Sequence, residues 1–402
     1  MQKSNLVTLL FSLFSGARIN IIGQLFGSEA VALIFFPFRS IKSIFSIKPV
    51  KKILLPYGLF LCSLVVSDIF VNDISSEQFL RGWSNIIFSF IQVIFLINLF
   101  VKSEKNYSWY LMFAAISFFI FRPQMEGEFM LESNAFKVFF MFGVNSLILL
   151  LAYHLGQKSR SSPILIFFAY ALFCMIADAR SNGVVYFLSA IIYCIKIFRI
   201  KLSYDKIAFF FSFVLFIGYS GYIYYASKVL SGEIGGGNAR QILELENPYN
   251  PFELLAKGRV ESLFALTPIM DRPFFGFGSW ANDATGQYIL EYNSLKESPG
   301  GSTENRLIPA HSIVLASWLW AGLGGLVGVV LLYFRVFKWG FTLFMKTNSN
   351  LLILIIPLML DQMWNFLFSP IGHLRQTAPF FFALVIVEYY RFCKQKKLTG
   401  EI

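Results

Sequence analysis

What most constrains this chain is the recurrence of apolar runs of bilayer length. A helix rises 1.5 Å per residue, so ~20 apolar residues cross the ~30 Å hydrocarbon layer with every backbone amide bonded inside the helix. About twelve such runs occur, at roughly 5–22, 24–38, 53–71, 85–101, 107–121, 136–155, 163–177, 184–198, 207–230, 310–333, 351–367 and 379–393. The expected fold class is an all-α polytopic membrane protein with about 12 transmembrane helices. Composition agrees, with 56% hydrophobic and 14% charged residues, where soluble domains carry roughly 25% charged. Arg18 and Glu29 interrupt the first two runs, so this region reads as two spans or as one span with an interfacial helix. Lys3 and a short apolar run ending Ser15-Gly16-Ala17 imitate a signal peptide, but more apolar sequence follows at once, and an uncleaved first helix is expected.

The formal net charge of +11 would suit a nucleic-acid binder, but its distribution argues for topology instead. Lys and Arg gather in alternate short loops: Arg39 to Lys52, Lys102 and Lys105, Lys158 and Arg160, Lys196 to Lys206, Arg335 to Lys346, and Arg391 to Lys397. By the positive-inside rule these loops are cytoplasmic, and no nucleic-acid partner is expected. The same parity places residues 231–309 outside. Three regions follow: membrane helices in 1–230 (about nine spans), one large, partly helical periplasmic loop at 231–309, and about three further spans in 310–402 with a cytoplasmic C-terminus. Cys62, Cys174, Cys194 and Cys393 all lie in apolar runs, without disulfide or metal spacing.

A loop of this length is usually functional or disordered, and its chemistry suggests order. Asn250 suits a helix N-cap, Pro251 the first helical position and Glu253 a capping-box partner, with Leu254, Leu255, Leu263 and Phe264 as an apolar face. Gly258-Arg259-Val260-Glu261-Ser262-Leu263 follows, in which Arg259 and Leu263 share a helix face. Pro273-Phe274-Phe275-Gly276-Phe277-Gly278 comes next, either a phosphate-cradling loop or a tight turn.

Ionisable residues at helix edges are costly near hydrocarbon and mark cavities or pathways. Asp178-Ala179-Arg180-Ser181-Asn182-Gly183 forms a short outer turn that holds Arg180 at the membrane surface; the bland alternative is an arginine paired with Asp178 or with headgroups. Arg122 lies in another outer loop, His311 opens the tenth span ahead of Ala321-Gly322-Leu323-Gly324-Gly325, and His373 and Arg375 sit in the last outer loop. His154, His311 and His373 are far apart, and no outer-face Asp-x-Asp occurs, so neither a metal site nor a cofactor is expected.

The order of these features, an outer-turn arginine, Gly-Arg-x-x-x-Leu, Pro-x-x-Gly-x-Gly and a histidine leading into Gly-Leu-Gly-Gly, resembles the O-antigen polymerase and O-antigen ligase family of bacterial inner membranes over roughly Ala177 to Tyr333. Ser312 and Trp320 depart from the family's Asn after the histidine and its acidic residue before the Gly-Leu-Gly step. The resemblance implies a metal-independent glycosyltransferase of the inner (cytoplasmic) membrane, active at the periplasmic face. Its donor would be an undecaprenyl-pyrophosphate-linked oligosaccharide, with the lipid bilayer and a chain-length regulator protein as further partners. It makes Arg180 and Arg259 the pyrophosphate clamp, since arginine stabilises developing phosphate charge bidentately. His311 is then the first candidate base and Asp178 the second. Leu263, Gly276, Gly278, Arg122, Arg375 and His373 are the expected substrate-binding residues. Polymerase and ligase share the motifs. Between Lys228 and Arg306 seven basic residues face ten acidic ones, which leans toward polymerase, because a ligase must bind anionic lipid A core. A lipid-linked oligosaccharide flippase or other transporter would instead be expected to show repeat-like halves with helices broken at midplane.

Overall fold

The computed structural model describes residues 3–21, 23–71, 75–121, 136, 140–177, 179–198, 204–233, 239, 242–257, 260–295 and 306–399. The described residues are helical apart from one two-stranded antiparallel hairpin, an isolated bridge between Asn282 and Leu307 and the connecting turns. Among the described residues the long helices are α4 (Lys48–Phe70), α5 (Ser76–Lys102), α6 (Lys105–Phe121), α7 (Met141–Lys158), α8 (Ser162–Ile176), α9 (Arg180–Ile197), α10 (Tyr204–Leu230), α15 (Ile313–Lys346), α16 (Leu352–Phe368) and α18 (Ala378–Leu398), and all but α10 pack together as a bundle. Among the described residues, α4, α5 and α15 are long and apolar enough to cross a membrane, and Ser4–Leu13, α8 and α16 are shorter apolar helices. Exposed Ile34, Leu165, Ile176 and Phe334 suit a surface facing hydrocarbon. This is a helical membrane protein.

The first two apolar runs fold as two short helices joined by a hairpin. Helix α1 (Lys3–Leu13) has 11 residues and α2 (Gly27–Ile34) has 8, each too short to cross ~30 Å alone. Between them strands β1 (Arg18–Ile21) and β2 (Gly23–Phe26) pair from Arg18–Phe26 to Ile21–Gly23. The hairpin gives the backbone its partners where Arg18 and Glu29 interrupt the apolar pattern. The Gly16 amide donates to Ser117 Oγ at 2.7 Å near the C-terminus of α6, so α1 runs alongside α6 toward the end of the bundle that carries residues 231–309. That end is called the loop end below; the other is the lysine-rich end.

Local signals explain the helix starts. Ser75 caps α5 through a reciprocal box with Gln78, and Ser312 Oγ accepts the Leu315 amide at the start of α15. The most extensive helix pair is α4 with α15. Their approach depends on small residues: a Cβ on Gly324 would lie 2.0 Å from Ser63 Oγ, and one on Gly328 would lie 2.9 Å from the Phe60 amide nitrogen. Tyr333 packs against Phe366, with tilted rings 4.7 Å apart, and edge-on against Phe382 at 5.1 Å, joining α15, α16 and α18 in the core. The large loop carries helices α11 (Pro251–Lys257), α12 (Val260–Phe264), α13 (Leu266–Asp271) and α14 (Gln287–Leu295), and α17 (His373–Gln376) joins α16 to α18.

Candidate active site at the loop end

Helix α15 is broken near its start, at Ala321 and at Gly322 with φ +59°. A break frees the preceding carbonyls of their intrahelical partners. The segment after Pro273 supplies replacements: the Phe277 amide donates to Leu319 O at 2.8 Å, the Gly278 amide to Trp320 O at 2.9 Å, and the Leu323 amide to Phe274 O at 3.2 Å. A Cβ at Gly322 would lie 2.0 Å from Phe274 O and one at Gly276 2.6 Å from Leu319 O. Both glycines, at positive φ, are what lets the turn and the broken helix touch. Asp68 at the end of α4 fastens the next residue, with Oδ1 accepting the Ser279 amide at 2.6 Å and Oδ2 accepting Ser279 Oγ at 2.8 Å and Trp83 Nε1 at 2.7 Å. The Gly276 amide donates to Arg272 O. Of the two readings of Pro273 to Gly278, this geometry supports the tight turn, because the amides a phosphate would need already serve carbonyls.

Arg180 opens α9. Its guanidinium donates to Tyr225 OH at 2.7 Å and lies over that ring at 4.7 Å, an arrangement that suits the weakly hydrated guanidinium. One turn earlier on α10, Tyr222 OH donates to Pro248 O at 2.7 Å. Asn250 caps α11 as expected, its Oδ1 accepting the Phe252 amide at 3.0 Å. Glu253 does otherwise: its carboxylate accepts the amides of Glu246 at 2.6 Å and Asn247 at 3.1 Å, closing the turn ahead of the helix. Behind Arg180, Asn182 forms a polar knot with Asn145, Tyr170 and Cys174 that ties α7, α8 and α9 together.

Helix α12, next in the chain after Gly258 and Arg259, is seated on the start of α15: Ser262 Oγ donates to His311 O at 2.9 Å. His311 itself is exposed. The capping Ser312 donates to Phe366 O at 3.3 Å, which holds this corner against α16. Phe264 of α12 packs on Tyr292, with ring centroids 5.4 Å apart. Tyr288 donates to Asp271, and burial pushes its hydroxyl up to about 12, so it remains a donor through the neutral range. Asp283 accepts the amides of Gly286 and Ile289 and orders the turn into α14.

The remaining expected residues lie apart from this corner or outside the described structure. Arg375, on α17, is 7% exposed and forks onto Glu29: Nε donates to Oε1 and the NH2 group to Oε2 at 2.5 Å. Gln92 donates to Glu29 Oε1 and to Arg375 O, and Arg375 also donates to Gln24 O in β2. This buried pair anchors the hairpin to α5, and its fork is already filled by a carboxylate of the same chain. His373 is half-buried, its ring 6.2 Å from Phe142. Arg122, Asp178 and Arg259 lie outside the described residues, as does the side chain of Leu263. Among the described residues no three His, Cys, Asp or Glu side chains gather as a metal-ligating group. Sequence reasoning missed Tyr225 and Asn182 as partners of the outer turn. Glu29 it noted only as an interruption, although a carboxylate inside an apolar run is itself a signal of a buried cation. No family model matches the chain, and no curated protein matches it.

Proposed function

We propose that this chain is an O-antigen (surface polysaccharide) polymerase of the bacterial inner membrane. It joins a glycan carried on undecaprenyl pyrophosphate to a lipid-linked repeat unit at the periplasmic face. On this reading the lysine-rich end is cytoplasmic, the loop end periplasmic, and the chain crosses the bilayer about twelve times, its N-terminal helix, hairpin and helix running out and back. One observation carries the reading. Contacts made from α9 through α10 to residue 248, and from Ser262 to His311, put the outer-turn arginine, the segment flanking Arg259 and the histidine at one end of the bundle, although they are up to 131 positions apart in sequence.

The reaction forms a bond between the acceptor hydroxyl and the donor's anomeric carbon as the bond from that carbon to pyrophosphate oxygen breaks. The leaving pyrophosphate keeps the electron pair, and Arg180 and Arg259 stabilise its charge. The hydroxyl proton passes to a base, for which His311 is the exposed imidazole at this corner. Replacing Arg180 or Arg259 with Ala should lower transfer by two orders of magnitude or more, from the loss of about 3 kcal/mol of transition-state stabilisation. Lysine should rescue poorly because it lacks the planar fork. Normal activity in both alanine variants, at normal membrane levels, would remove the clamp.

Ligase and polymerase separate on the lipopolysaccharide of a strain lacking the protein. Loss of a polymerase leaves core carrying one repeat unit, whereas loss of a ligase leaves bare core and polymer held on the lipid carrier. The break in α15 does not favour a transporter, because the turn after Pro273 fills it instead of leaving it open to a substrate.

A further inference from the structure

At the lysine-rich end, away from the proposed active site, lies a cavity of about 790 Å³ lined by α1, α5 and the elbow between α2 and α3 (Ile41–Ser46). That volume is in the range of small-molecule sites. Its walls divide by chemistry. Phe35 and Phe36 of the elbow and Phe95 of α5 supply an apolar wall, while Arg39, Lys102 and the amide side chain of Asn98 supply polar groups. The elbow is a built feature: the rings of Phe36 and Phe38 meet edge-on at 4.9 Å, and the Ser40 amide donates to Pro37 O at 2.9 Å. Arg39 and Lys102 are exposed, and among the described residues no carboxylate lines the cavity. The nearest acid in sequence to Lys102, Glu104, pairs with Arg391 at 3.3 Å. Beside the mouth, Ile34 is 75% exposed and Phe38 72%, a surface that belongs in hydrocarbon.

Two cations and an aromatic wall lining one cavity, next to a lipid-facing surface, match one occupant by charge and shape: a phospholipid with an anionic headgroup. We propose that this cavity binds one anionic phospholipid, its phosphate between Arg39 and Lys102, its glycerol near Asn98 and an acyl chain along Phe35, Phe36 and Phe95. The inference needs the chain to be a membrane protein and does not depend on its enzymatic activity, so either can fail alone.

Purified full-length protein in detergent, titrated with phosphatidylglycerol or with phosphatidylcholine of the same acyl chains and observed by native mass spectrometry, tests it. The expected result is one phosphatidylglycerol bound at concentrations where phosphatidylcholine is not retained. The Arg39→Gln/Lys102→Gln variant should bind it roughly 30-fold more weakly, equivalent to about 1 kcal/mol for each cation. A Lys394→Gln/Lys396→Gln control should bind like the unaltered protein. Inorganic phosphate should not compete at millimolar concentration, since it lacks the acyl chain. Equal retention of the two lipids by the unaltered protein, a measurement that needs no variant, would overturn the proposal. So would an unchanged affinity in the double variant.

Discussion

The Asp68 carboxylate is the most exacting place to test how the large loop is held. Its two oxygens accept from two groups that can only donate, the Ser279 amide at 2.6 Å and Trp83 Nε1 at 2.7 Å, and from the Ser279 hydroxyl at 2.8 Å. Asp68→Asn keeps the shape but leaves one acceptor oxygen and one NH2 group. Whichever way the amide turns, one donor then faces another donor, while the hydroxyl can reverse its role. The variant therefore loses one hydrogen bond to a charged group, worth about 1.5–3 kcal/mol. That corresponds to a local opening equilibrium raised roughly 10- to 100-fold. Asp68→Ala removes every acceptor and leaves the amide of Ser279, which is 0% exposed, without its acceptor, so its effect should be larger. Ser279→Ala removes only the reversible hydroxyl contact and should cost least, about 1 kcal/mol. Gly82→Ala should act on the same joint by crowding, since its Cβ would meet Ser279 Oγ at 2.1 Å. The assay is hydrogen exchange of the peptide spanning 273–283 in detergent. The amides of Phe277 and Gly278, bonded to the broken helix, should lose protection in the order Asp68→Ala, Asp68→Asn, Ser279→Ala. If Asp68→Asn exchanges like the unaltered protein, or Ser279→Ala is the most damaging, the carboxylate does not hold the turn and the reasoning is wrong.

A reporter active only in the periplasm should give signal when fused after Asn282 and none after Lys346; the opposite pattern would end the functional reading. His311→Ala should lower glycan transfer, and His311→Gln should restore part of it if the ring hydrogen-bonds; a Gln variant as inactive as Ala would instead assign it proton transfer. For the buried pair, Arg375→Ala and Glu29→Gln should each destabilise the protein by about 3–5 kcal/mol, because each strands the other's charge. The expected readout is reduced membrane level and a lower melting temperature in detergent, and a stable Arg375→Ala protein that fails only in substrate binding would contradict the structural role.

Much of the architecture was legible in the chain because hydrocarbon is a severe solvent. An apolar run of sufficient length has few alternatives to a helix, and lysine-rich short loops betray which helix ends lie together. Local capping was legible for the same kind of reason, since Asn250 acts on an amide two residues away. Glu253 shows where that logic stops: it has the spacing of a capping box, but the preceding turn at Glu246 and Asn247 offered two unpaired amides and captured it. What the tertiary structure alone decided were the pairings between distant segments. Nothing near Arg375 in sequence announces Glu29, 346 positions earlier, and nothing in Ala321-Gly322-Leu323-Gly324-Gly325 distinguishes a packing seam from a break. The stretch is both. Gly324 packs on α4, and Gly322 abandons the helix because the turn after Pro273 offers amide donors to the carbonyls the break exposes. A buried carbonyl must find a donor somewhere, and the sequence carries no record of which segment folding brings within reach.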